Sequence, residues 1–256
     1  MQVVTWNVNS LRARIDHLLR FLDEESPDVV CLQELKLTDD LFPASKIRDA
    51  GYPHLEWWGE KNYNGVAMLS KHPIVDPQKG HCDAGDDSQA RLIAGTVEGI
   101  RIIGVYAPNG TRLGSDRFAF KLAWYDRLFE MIDSHHKPDD DVVLCGDLNI
   151  APDDPDVWDP FRCDGILLCH PLERERFQRF IQWGFVDPFR DRNPWASEFS
   201  WWDYQQMGWQ RNHGLRIDHT LITGPLDARC TDVTIHAEVR GWKTASDHAP
   251  VSVTFD

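Results

Sequence analysis

One feature limits the fold more than any other. Short apolar runs of strand type alternate with longer amphipathic stretches of helical period along the chain, and no Pro/Gly/Ser-rich linker separates them. Val3-Val-Thr-Trp-Asn-Val reads as a first strand. Ser10 then stands where a helix cap is expected, before Leu11, Ile15, Leu18, Leu19 and Leu22 at helical spacing. Asp28-Val-Val-Cys-Leu-Gln reads as a second strand ending at Glu34, and further strands are predicted over 65–70, 91–97, 101–107, 141–146, 216–222, 229–236 and 250–255. Ser115 opens a second helix with Phe118, Leu122, Tyr125, Phe129 and Ile132 along one stripe. Pro171, suited to a first helical position, opens a third that ends at Gly184. Hairpin spacing of 91–97 with 101–107, beside strand–helix–strand units, predicts mixed sheets covered by helices, an α/β sandwich, formed as a single domain over residues 1–256. The stretch 184–215 reads as irregular and longer than ordinary loops, a kind of segment that often carries function.

Composition narrows the partners. With 27 Lys+Arg against 41 Asp+Glu the formal net charge is −14, which counts against a broad phosphate-binding surface. Charges can segregate, and carboxylates that bind a cation reverse their local effect. Any DNA-binding face must therefore be local and metal-assisted. No stretch approaches the roughly 18 consecutive apolar residues of a membrane span, and the N-terminus lacks a basic start and a long apolar segment. A cytoplasmic, monomeric enzyme without a membrane partner is expected. The cysteines (Cys31, Cys82, Cys145, Cys163, Cys169 and Cys230) form no Cys-x-x-Cys pair. Cys31 and Cys145 lie in apolar runs as buried thiols, which argues against a disulfide framework and against zinc.

Polar residues gather where strands end: Asn7 and Asn9, Glu34, Tyr106 through Asn109, Asp147 with Asn149, Asp218, and Asp247-His248. Residues two apart in an extended segment share a face, so Asp147 and Asn149 are expected to point into one cleft, and clefts form at strand ends of α/β sheets.

The segments Trp6-Asn-Val-Asn-Ser-Leu-Arg-Ala-Arg, Leu32-Gln-Glu-Leu-Lys, Tyr106-Ala-Pro-Asn-Gly, Gly146-Asp-Leu-Asn-Ile, Gly214-Leu-Arg-Ile-Asp-His and Ser246-Asp-His-Ala-Pro-Val together resemble the ordered motif set of the exonuclease III group. These are apurinic/apyrimidinic endonucleases of the endonuclease/exonuclease/phosphatase superfamily. The resemblance runs over essentially the whole chain. It implies a four-layer α/β sandwich, in which two mixed β-sheets pack face to face with helices on the outside. It also implies dependence on Mg²⁺ or Mn²⁺ and hydrolysis of double-stranded DNA: incision 5′ to abasic sites, 3′–5′ exonuclease action and removal of 3′ phosphates and other 3′ blocks.

The resemblance assigns roles residue by residue. Glu34 is the main metal ligand, with Asn7 close by as an oxygen donor and Asp247 a second contributor; one ion or two is left open. Asp147 positions and deprotonates the attacking water, and Asn149 holds the phosphate or the nucleophile. His248 contacts phosphate and is oriented by Asp218. Tyr106 and Asn109 hydrogen-bond the scissile phosphate, and Arg112 touches DNA phosphate. Trp201 and Leu215 line the pocket for a flipped-out baseless sugar, Gln205 stands where some relatives insert a residue into the duplex, and Trp202 and Trp209 are expected in a satellite apolar cluster. The segment 163–171 varies among relatives and lies near the DNA. His170 there is expected to cap the third helix, although a bulky side chain at this point can bias such an enzyme towards strand ends. A phosphoesterase of the same superfamily acting on lipid or inositol phosphate would keep the same acidic core.

Overall fold

The computed structural model describes residues 1–81 and 88–256; Cys82 lies outside the described residues. Among these, two mixed six-stranded sheets face each other. In the first, the order is Cys230–Ile235, Val251–Phe255, Gln2–Asn7, Val29–Gln33, Val66–Ser70, His54–Trp58; in the second it is Val75–Lys79, Leu92–Val97, Ile100–Tyr106, Val142–Asp147, Asp218–Thr223, Phe185–Val186. Each sheet holds one parallel pair near its middle: Gln2–Asn7 beside Val29–Gln33, and Ile100–Tyr106 beside Val142–Asp147. Parallel neighbours need a crossover. The helices Leu11–Glu25 and Asp116–His135 supply it.

Side-chain alternation builds the layers. Val3, Val29, Cys31, Ile102, Val143 and Cys145 point into the space between the sheets. Their neighbours Val4, Val30 and Leu32 turn outward to Leu18, Phe21 and Leu22 of the first helix, and Ile103, Val105 and Leu144 turn outward to Trp124, Tyr125 and Leu128. Both faces of these central strands are therefore apolar, as buried parallel strands require. The sheets approach closely at Gly104, where a Cβ would lie 3.0 Å from the Cys31 Sγ. The expected four-layer α/β sandwich is the observed architecture. Cys163 and Cys169 are buried and free, and no helix among the described residues is long and apolar enough to cross a membrane.

Several local expectations are corrected. Ser10 occupies the cap position but its side chain makes no capping bond. Instead the turn before the helix is held by backbone: Val8, Ser10 and Leu11 N–H donate to the carbonyls of Gln33, Glu34 and Leu35. The inner stripe of the second helix is Phe118, Lys121, Trp124, Tyr125, Leu128, Met131 and Ile132, with Leu122 and Phe129 half-buried at its flanks. The stretch 184–215 contains the short strand Phe185–Val186, the helix Pro188–Arg192 and a ribbon pairing Trp201–Trp202 with Gly214–Leu215. Buried Arg216 anchors this region, its Nε 2.7 Å from Asp156 and its Nη2 2.7 Å from Asp187. Edge strands His54–Trp58 and Val75–Lys79 were not expected.

Candidate active site

The carboxyl ends of both parallel pairs open at the same end of the molecule, and the strand ends deliver the polar residues there. The register sets Asn7 opposite Gln33, Tyr106 opposite Asp147, and Asp147 opposite Asp218. Ser246 ties the last of these segments in: its hydroxyl donates to the Asn7 carbonyl at 2.7 Å, and Trp6 Nε1 donates to the His248 carbonyl at 3.2 Å.

Gly146 sets the approach to Asp147. Its φ of +149° and the position of a would-be Cβ, 1.9 Å from the Val105 carbonyl oxygen, admit only glycine. Gly146→Ala is expected to destabilise the fold by about 3 kcal/mol or more, read as a lowered denaturation midpoint; an unchanged midpoint would refute this reading of the turn.

Glu34, Asp147 and His248 bring ligand atoms within 4.8 Å of one another. Asn7 lies between the carboxylates, and its Nδ2 donates at 2.9 Å to both Glu34 Oε1 and Asp147 Oδ2. Its Oδ1 accepts from the Asn9 N–H. The amide N–H groups thus bridge two carboxylates, while Oδ1, the atom expected as an oxygen ligand, keeps one lone pair beyond the Asn9 N–H. Lys36 sits 2.7 Å from Glu34 Oε2 and donates to Asn9 Oδ1 at 2.6 Å. Burial pushes the Glu34 carboxyl up, but Lys36 and the Asn7 amide outweigh it and hold it below its ordinary range. Asp247 accepts from Asn9 and from Trp201 Nε1 at 2.8 and 3.0 Å. Burial opposes its charge, yet His248 and these two donors keep it below the usual value. It stands outside the Glu34–Asp147–His248 set.

Asp147 is almost wholly buried. Burial raises its carboxyl to about 7, with Asp218 and Glu34 adding to the rise and His248 opposing it. Its Oδ1 accepts from Asn149 N–H at 2.9 Å, an Asx-turn in which Asn149 has a left-handed φ of 49°. The two residues do meet in one cleft, through this turn rather than through continued extension. Behind them, His248 Nδ1 lies 2.8 Å from Asp218 Oδ2 and its Nε2 3.8 Å from Asp147 Oδ2. Burial alone would keep the imidazole neutral, but Asp218 and Asp147 overcome it and raise the ring to about 10, a cation at neutral pH.

Tyr106 is hydrogen-bonded to Glu34; burial, then Glu34 and Asp147, lift its phenol well above the ordinary value, so its hydroxyl stays a donor. Asn109 Nδ2 donates to Asn149 Oδ1 at 3.1 Å, and Asn149 Nδ2 donates to the Ala107 carbonyl at 3.0 Å. Each amide keeps one further N–H. A depression of ≈ 490 Å³ extends from Glu34, Tyr106 and Asn109 towards Arg91 and Arg117. Arg112 is exposed on the turn after Asn109 and does not line that depression. Trp201 is half-buried, its ring 6.4 Å from that of His248, and pairs with Leu215, which is buried against Val157 and Ile217. Trp202 is buried in the main core and half-buried Trp209 packs on it edge to face at 4.8 Å, so the two join that core and form no satellite cluster. Gln205 is exposed. His170 caps its helix: Nδ1 accepts from Leu172 N–H while Glu173 accepts from His170 N–H, and its ring meets Phe118 edge-on.

Two supports gave no signal in the sequence. Ser200 donates to Asp218 at 2.7 Å and accepts from the backbone of Ile217 and Asp218, yet it lies in a stretch read as irregular. Lys121 is fully buried behind Asn109 and Asn149, and a lysine on a helix ordinarily reads as solvent-facing.

The acidic pit at the strand ends of a two-sheet sandwich is the ground plan of a phosphoesterase. The endonuclease/exonuclease/phosphatase family matches residues 4–248, and the chain belongs to that family. Within it, the chain is 35% identical over 267 residues to exodeoxyribonuclease III of Haemophilus influenzae, each covered in full. It superposes on the Neisseria 3′ phosphatase NExo bound to product DNA hairpin with a TM-score of 0.96 at 40% identity, covering 100% of this chain and 99% of that one. An AP endonuclease from Archaeoglobus fulgidus gives 0.95 at 32% identity, with 100% and 99% covered. The chain is accordingly a DNA-repair hydrolase of the exodeoxyribonuclease III/AP endonuclease type.

Proposed function

We propose that the chain hydrolyses phosphoesters of double-stranded DNA with Mg²⁺ or Mn²⁺, acting 5′ to abasic sites and at 3′ ends, including 3′ phosphates. The convergence of Glu34, Asp147 and His248 within 4.8 Å carries this reading. Hard carboxylate oxygens in a small pit suit such an ion. Glu34 would hold it, with Asp247 adjoining, and when bound it would neutralise charge on a phosphate oxygen.

The chain's own residues supply the rest. Asp147, poised by burial, takes the proton of the attacking water. The His248 cation, fixed by Asp218, faces a phosphate oxygen as charge builds there. Asn109 and Asn149 offer two amide N–H groups to the other oxygens, and the Tyr106 hydroxyl can join them by turning from Glu34. Trp201 forms an apolar wall beside His248, suited to a baseless sugar. Glu34→Ala is expected to move the Mg²⁺ activation midpoint upward by about tenfold or more; a wild-type titration curve would refute its role as ligand.

A bias towards 3′ ends within this function is favoured by the strong likeness to a 3′ phosphatase. Three labelled duplexes separate the readings: an internal abasic analogue, a recessed 3′ end and a 3′-phosphate terminus. Hydrolysis of the 3′ phosphate well ahead of abasic incision supports the bias, comparable rates refute it, and metal-dependent activity on none refutes the DNA reading itself.

A further inference from the structure

A buried ion pair stands behind the two site asparagines. Lys121 and Glu173 are both fully buried and in contact. The ammonium of Lys121 has three protons and three acceptors: Glu173 Oε1, the Asn149 carbonyl at 2.6 Å and the Asn109 carbonyl at 3.3 Å. Glu173 gives its other oxygen to the His170 N–H. One helical turn beyond Lys121, the Tyr125 hydroxyl donates to the Leu148 carbonyl. His219 Nε2 meets the Ile150 carbonyl at 2.9 Å, and Arg174 Nε donates to the Ala151 carbonyl at 3.1 Å. Four consecutive carbonyls after Asp147 are thus each held by a side chain from another element, and of these side chains Lys121 also reaches the loop carrying Asn109, backing the direct bonds of Asn109 and Ala107 to Asn149.

A buried ion pair is a poor source of stability, because desolvation offsets most of its attraction. We propose that Lys121, set by Glu173, is a positioning residue that registers Asn109 and Asn149 against the scissile phosphate. Displacements near 1 Å in such groups can cost about 10²-fold in rate. The proposal rests on the function proposed above and adds a residue that acts through others.

The test combines Lys121→Met with Glu173→Gln, which removes both charges and keeps an acceptor for His170 N–H. On a 3′-phosphate duplex, kcat is expected to fall about 30-fold or more, with KM, Mg²⁺ midpoint and thermal unfolding close to wild type. In an Asn149→Ala background the same pair should lower kcat by less than about threefold, because coupled residues are not additive. A folded double variant with wild-type kcat, or a loss that multiplies fully onto Asn149→Ala, overturns the proposal. If the double variant does not fold, Glu173→Gln alone carries the same comparison. Should the wild-type chain hydrolyse no DNA phosphoester, the functional reading falls, and amide hydrogen exchange still tests the clamp. Exchange over 107–111 and 148–152 should quicken about tenfold or more in the variant, and unchanged exchange overturns it.

Discussion

Replacing Asp147 with Asn is expected to lower turnover by about 10³-fold or more while leaving the fold and DNA binding in place. Loss of a positioned base accounts for about 10²–10⁴, and the new amide cannot take a proton. The reach of the change is local. Oδ1 of the new side chain can still accept from Asn149 N–H, where Asp147 does so at 2.9 Å. Its NH₂ then meets the Asn7 Nδ2, a donor that now serves Asp147 and Glu34 together, so Asn7 must turn wholly to Glu34. Removing a buried negative charge also relieves repulsion of an incoming phosphate, and affinity should stay equal or rise. Single-turnover rates on the 3′-phosphate duplex, with binding measured on the same duplex, check both parts. Turnover within tenfold of wild type would end the assignment of Asp147 as base.

The site was legible in the sequence to the extent that it sits at strand ends. Asn7, Glu34, Tyr106 and Asp147 terminate or follow apolar runs whose period is plain, and parallel pairing then forces them together. What the sequence could not convey is the orientation of a polar group once it arrives. Asn7 reads as an oxygen ligand by residue type, and only the fold shows that its amide protons go to two carboxylates while its oxygen accepts from the Asn9 N–H. Lys121 and Ser200 stayed hidden for a related reason. Each is polar where burial is complete, and the partners that make this tolerable are distant in sequence. Edge strands were lost differently. Val75–Lys79 contains Pro77 and is mostly exposed, so neither alternation nor burial marks it, and the pleat tolerates proline only because the strand is an edge. His54–Trp58 is half-buried at every position, which erases its period.

Asp218→Asn should be the second large loss, about 10²–10⁴-fold in kcat by analogy with carboxylates that orient a histidine, and its size should depend on pH. In the wild type, Asp218 and Asp147 overcome burial and hold His248 at about 10, while Glu34 and Asp247 add to the negative surroundings. The cation therefore persists across the neutral range. An amide in place of Asp218 removes the strongest of these partners and can offer an N–H to Nδ1, which a protonated ring refuses. His248 should then lose its proton at much lower pH, so the deficit in kcat should widen as pH rises from 6 to 9. Stability follows the same sign. A histidine raised in the folded state stabilises fully below its ordinary value near 6.5 and progressively less as pH climbs towards about 10. The gap in unfolding free energy between wild type and variant should therefore be largest in mild acid and shrink in alkali. Ser200 sharpens the test, because its hydroxyl also donates to Asp218 at 2.7 Å: Ser200→Ala removes that hydrogen bond but leaves the charge, and should cost far less with no new pH slope. A variant deficit that is flat from pH 6 to 9 would show that Asp218 acts by shape alone and that the charge on His248 is not what the phosphate meets.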